Sequence, residues 1–170
     1  LTGVLLYAFC RPRIGVFNAL LCTIGWLTVP GVIQESASLH DDTVLALFLF
    51  AALVCLYDPR VRGGRSWAAG TVTGLLVSAA VATKLMGWIL CPVYLLAVLA
   101  WCGRERGTAW ALQAAAAAMT VVVVAGGFQY WYALAVTGNP IFPFYNAVFH
   151  SPYYPWTNFL DRSSVGHFGW

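Results

Sequence analysis

The sequence predicts an all-α bundle of membrane-spanning helices, and three observations carry that prediction. Hydrophobic residues make up 61% of the 170 residues and charged residues only 9%, whereas roughly 25% of a soluble globular domain is charged. The apolar residues fall in long runs approaching or exceeding the roughly 20 residues that a spanning helix needs. Apart from Lys84 and Arg162, every one of the nine basic residues sits in one of three short segments between those runs, the pattern of a polytopic protein. The runs also lack the alternation of apolar and polar side chains that marks a membrane barrel.

Taken in order, residues 1–9 are apolar but too short to cross alone, and read as the tail of another span in a fragment cut at both ends. Arg11 and Arg13 follow, and residues 14–33 form the next run. A polar stretch holding Gln34, Glu35, Ser36, Ser38, His40, Asp41 and Asp42 separates it from residues 43–57. Arg60, Arg62 and Arg65 precede residues 67–83, and Lys84 alone divides these from residues 85–101. Arg104 and Arg106 precede the run at 108–136. These boundaries give a transmembrane region over 1–136 with five to six spans. Residues 137–170 form a loop region rich in proline and aromatic residues.

The positive-inside rule places all three arginine segments on the cytoplasmic face of a plasma membrane. Threading the runs between them closes without strain, and puts Glu35, His40, Asp41, Asp42, Lys84 and everything after Thr137 on the extracytoplasmic face. A single span through Lys84 would invert the chain downstream and carry Arg104 and Arg106 outside, against the basic bias. Ala114 to Ala118 offers a small-residue surface for close helix packing. Cys10, Cys22, Cys55, Cys91 and Cys102 show neither a paired motif nor zinc-ligand spacing, and read as packing residues. A net charge of +3, confined to short loops, gives no support to nucleic-acid binding.

Three groups of residues could carry chemistry. Glu35, His40, Asp41 and Asp42 gather carboxylates and an imidazole at the outer end of two spans, suited to a general base, to a polar substrate or, less specifically, to a divalent cation. Asp41 and Asp42 equally suit the start of a helix, where acids complement the free N–H groups and the dipole. Lys84 is either a lysine snorkelling to the interface or an ammonium facing a phosphate. The segment Thr137, Gly138, Asn139, Pro140, Ile141, Phe142, Pro143, Phe144, Tyr145, Asn146 and its continuation through Tyr153, Tyr154 and Trp156 reads either as a headgroup-level loop or as a substrate-lining one.

The stretch TGNPIFPFYN (137–146), with SPYYP (151–155) and NFLD (158–161), resembles the junction after a late membrane helix in bacterial GT-C-type glycosyltransferases, the ArnT and protein-mannosyltransferase-like class. Residues 32–58 resemble that family's second outer loop and next helix, and Ala82–Lys84 falls where the family often has a lysine. The resemblance implies a GT-C-like fold in a bacterial inner membrane. It also implies transfer of a sugar from a polyprenyl-phosphate donor to a lipid, glycan or protein acceptor on the outer face. Asp41 or Asp42 would then be the base and Lys84 the phosphate ligand, with Glu35, His40, Asn139, Tyr145 and Asn146 as substrate contacts. The family's principal acid lies in the first outer loop, upstream of Leu1. Tyr132 and Ala133 stand where many relatives carry an Arg-Asn pair. A transporter, or a non-catalytic assembly subunit, is the competing expectation.

Overall fold

The computed structural model describes residues 1–37 and 42–156. It is all-helical, with no strand among the described residues. The chain divides into two compact units, Leu1–Gly126 and Gly127–Trp170.

In chain order the first unit holds α1 (Thr2–Leu27), α2 (Pro30–Ala37), α3 (Asp42–Tyr57), α4 (Pro59–Gly63), α5 (Ser66–Thr83), α6 (Met86–Arg106) and α7 (Thr108–Gly126). By length and composition alone, α1, α5, α6 and α7 are long and apolar enough to cross a membrane, while α3 is apolar but shorter, at 16 residues.

The centre of the unit is α5, buried over half of its apolar window, against about a third or less for the other three long helices. Lipid tails are as apolar as leucine, so helices in a bilayer associate by close van der Waals contact rather than by escaping water. The sequence of α5 is suited to that. Gly70, Gly74 and Ser78 recur every four residues on one face and meet Ala114, Ala118 and Gly126 on α7. A Cβ placed on Gly74 would lie 2.8 Å from the Cα of Ala118, and one on Gly126 would lie 3.0 Å from the Cα of Ser78. The two backbones are therefore in contact. Two side-chain hydrogen bonds fasten the seam: Ser66 Oγ donates to Gln113 Oε1 at 2.6 Å, and Ser78 Oγ donates to the Val121 carbonyl at 3.1 Å. The expectation that Ala114 to Ala118 forms a packing surface is met here.

Contacts advance in the same direction along both helices, so α5 and α7 run parallel and α6 returns between them. Lys84 is extended (φ −157°, ψ 144°), and a Cβ on Gly87 would meet the Ala80 carbonyl at 2.7 Å. The chain thus reverses at Lys84 in a tight hairpin, and residues 67–101 are two antiparallel helices. On α6 the residues Cys91, Tyr94, Val98 and Cys102 face inward, and Ile89, Val93 and Leu96 face out. Cys91 and Cys102 act as packing residues as expected, whereas Cys22 is exposed.

Three boundaries differ from the sequence reading, one of them because α6 continues through Arg104 and Arg106. The run at 14–33 is not one helix. Helical structure continues from residue 2 past Arg11, Pro12 and Arg13, and then breaks at Gly15 (φ 79°, ψ 169°), a conformation open essentially to glycine alone. A straight helix of 26 residues would be about 39 Å long, yet a Cβ on Gly3 would lie 3.3 Å from Leu27 Cδ2. Hence α1 folds back on itself as two limbs, residues 2–14 and 16–27, and Thr28 and Val29 separate it from α2, which starts with a helix-compatible Pro30. The run at 108–136 is also divided, because α7 ends at Gly126 and a new helix starts at Phe128.

The three arginine segments gather at one end of this unit. Arg13 at the α1 turn lies 5.6 Å from the Tyr57 ring centre, Tyr57 packs edge-on against Trp101, and Trp110 Nε1 donates to the Gly64 carbonyl. The start of α3 lies at the other end, about 24 Å away along a helix of 16 residues.

Because Gly74 touches backbone, a methyl group there has nowhere to go. Gly74→Ala is expected to cost about 1–3 kcal/mol, read as a lowered thermal midpoint of the detergent-purified protein. Leu75→Ala, on the exposed face of the same helix, is expected to change it by less than about 0.5 kcal/mol.

Candidate functional site

At the end away from the arginines, two residues distant in sequence meet. Asp42 opens α3 and Lys84 closes α5, and these helices are antiparallel neighbours. Lys84 Nζ donates to Asp42 Oδ1 at 2.5 Å, with both side chains a little under half exposed. Each charge also complements the helix end on which it sits, carboxylate at an N-terminus and ammonium at a C-terminus. An ion pair this open to its surroundings contributes only about 0.2–1 kcal/mol. Its consequence is positional, since it holds a proton acceptor and a cation side by side.

Glu35 lies on α2, half-buried. His40 and Asp41 fall outside the described residues. Among the described residues no group of three or more His, Cys, Asp or Glu is placed to hold a metal ion.

Beside the pair, Thr43 and Leu47 of α3 and Thr2, Trp26 and Leu27 of α1 enclose a cavity of about 250 Å³. Thr2 and Trp26 also line a second, almost wholly apolar cavity of about 180 Å³ that reaches Leu6, Ala46 and Phe50. No pattern in the sequence marks Trp26 or Phe50 as cavity residues. They become neighbours only because α1 doubles back at Gly15.

The other candidates belong to the second unit. There α8 (Phe128–Thr137) ends on Gly138 in the left-handed region (φ 71°), and a turn leads to the short α9 (Asn146–Phe149). Asn139 and Asn146 are fully buried, and their amides are spent on the loop itself. Asn139 Nδ2 donates to the Phe144 carbonyl at 2.9 Å, and its Oδ1 accepts from the Ile141 N–H at 3.0 Å. Asn146 Nδ2 donates to the carbonyls of Ser151, Tyr154 and Pro155, and its Oδ1 accepts from the Ser151 N–H at 2.9 Å. Tyr145 takes a left-handed conformation (φ 52°) between them, with its ring over half exposed. The TGNP stretch is thus a locked turn that presents aromatic rings at its surface, Tyr145, Tyr153 and Trp156 among them.

Removing the Asn146 amide leaves buried backbone groups without their partner. Asn146→Ala is expected to cost about 1–3 kcal/mol locally, seen as faster amide exchange and faster proteolysis between residues 146 and 155 than in the wild type.

No family model, no curated protein and no solved structure matches this chain.

Proposed function

We propose that the chain forms part of an integral membrane glycosyltransferase with a GT-C-like bundle of five to six spans in a bacterial plasma membrane. It would move a sugar from a polyprenyl-phosphate donor to a lipid, glycan or protein acceptor on the extracytoplasmic face. The observation that carries this reading is the Asp42–Lys84 pair, at the end of the bundle away from the arginine-rich turns. With the arginines cytoplasmic, the pair faces outward.

In this reading the acceptor hydroxyl oxygen attacks the anomeric carbon of the donor sugar. Asp42, with Asp41 beside it in sequence, takes the hydroxyl proton. The bond from sugar to phosphate breaks, and its electron pair leaves on the phosphate oxygen, whose charge Lys84 balances. The donor phosphate competes for the ammonium and frees the carboxylate from the resting pair. The cavities lined by Trp26, Leu47 and Phe50, one of them almost wholly apolar, offer an isoprenoid chain a place beside that phosphate. Glu35 and His40 are assigned to the acceptor side, while in the second unit Asn139 and Asn146 hold the loop that carries the Tyr145 ring.

The test is sugar transfer from a radiolabelled polyprenyl-phosphate donor in inner-membrane vesicles at matched protein levels. Asp42→Asn and Lys84→Ala are each expected to lower transfer by about 10²-fold or more, with Lys84→Arg retaining more activity than Lys84→Ala. Transfer within about twofold of wild type in both variants would remove these residues from the chemistry.

A further inference from the structure

The arginine-bearing end carries a groove that the proposed reaction does not use. It has a volume of about 390 Å³ and lies between the first limb of α1 and the junction of α3 with α4. Leu5, Ala8 and Val54 form its apolar wall, and Arg13 and Arg60 both line it.

Arg13 is already oriented. Its Nη1 donates to the Phe9 carbonyl at 2.6 Å, and its guanidinium lies 3.8 Å over the Phe9 ring. A guanidinium carries five N–H donors in a planar fork suited to phosphate oxygens, so donors remain for a second acceptor. Asp58 is the one acid in the groove. Its Oδ1 caps α4 by accepting from the Arg60 backbone N–H at 2.8 Å, and among the described residues it forms no ion pair with either arginine.

Two guanidiniums and one carboxylate leave the groove one positive charge, the complement of a single phosphodiester. Leu5, Ala8 and Val54 lie about one to two turns along their helices from Arg13 and Asp58, where the upper methylenes of acyl chains would lie. The second Asp58 oxygen suits a hydroxyl donor on the headgroup. A choline headgroup would bring a cation toward Arg13 and Arg60 and has no hydroxyl to offer.

We infer that this groove binds the headgroup of an anionic glycerophospholipid, a phosphatidylglycerol type, with its phosphodiester between Arg13 and Arg60. This inference stands independently of the proposed transferase activity, because it concerns the opposite end of the bundle.

The experiment is native mass spectrometry of the detergent-purified full chain titrated with dioleoyl phosphatidylglycerol and, separately, dioleoyl phosphatidylcholine. Phosphatidylglycerol is expected to bind about tenfold tighter or better. Arg13→Gln and Arg60→Gln are each expected to weaken it about fivefold, while Arg106→Gln leaves it unchanged. Equal retention of the two lipids, or unaltered affinity in the Arg13→Gln, Arg60→Gln double variant, would overturn the assignment. Should that variant fail to fold, the wild type decides. Phosphatidylglycerol affinity must then fall as salt is raised from about 50 to 500 mM while phosphatidylcholine retention stays level, and salt-independent binding contradicts the site. Displacement by soluble glycerophosphoglycerol at equal concentration would assign the groove to a free phosphodiester instead of a lipid.

Discussion

The arrangement of the first unit depends on the backbone contact between α5 and α7. Gly70, Gly74 and Ser78 on one helix and Ala114, Ala118 and Gly126 on the other remove every side chain that would keep the two axes apart. In a bilayer this is where association energy is available, because dispersion grows steeply with close approach and no hydrophobic gain separates helix contact from lipid contact. Once α5 and α7 lie parallel, α6 has to return the chain between them, and the turns at Lys84 and Gly107 must fall at opposite ends. The placement of Lys84 is therefore a consequence of glycine and alanine spacing well below it in the bundle.

The two ends of the helices then carry different groups. Arg13, Arg60 and Arg104 come to the end built around Tyr57 and Trp101, where aromatic rings and guanidinium groups suit the zone between hydrocarbon and water. Asp42 and Lys84 take the other end. A carboxylate and an ammonium are costly to leave alone near hydrocarbon, and pairing across two antiparallel helix ends of favourable dipole offsets part of that cost. Such a pair, open to its surroundings, adds little stability.

Much of this was legible in the sequence, for identifiable reasons. A lone charge between two apolar runs marked the Lys84 reversal, and the alternation of arginine segments gave the order of the helices. Asn139 and Asn146 read in the sequence as substrate contacts, whereas both are buried with their amides spent on carbonyls of their own loop, a pattern that depends on how the turn closes. The fold-back of α1 was not legible. Arg11 and Arg13 suggested a loop, whereas the helix runs through them and a single glycine turns the chain, and isolated glycines in apolar helices usually turn nothing. Gly126–Gly127, by contrast, is a readable break inside the last run, and Pro30 a readable helix start.

The sorting of the two ends across a membrane is the claim on which the rest stands, and side-specific thiol labelling tests it most directly. In a cysteine-free background, Gly63→Cys, Thr108→Cys and Leu85→Cys would be treated with a membrane-impermeant maleimide in sealed right-side-out and inverted vesicles. Gly63→Cys and Thr108→Cys are expected to react only in inverted vesicles and Leu85→Cys only in right-side-out ones. Labelling of Leu85→Cys from the same side as Thr108→Cys would contradict it, because Lys84 and the arginine turns would then share one face.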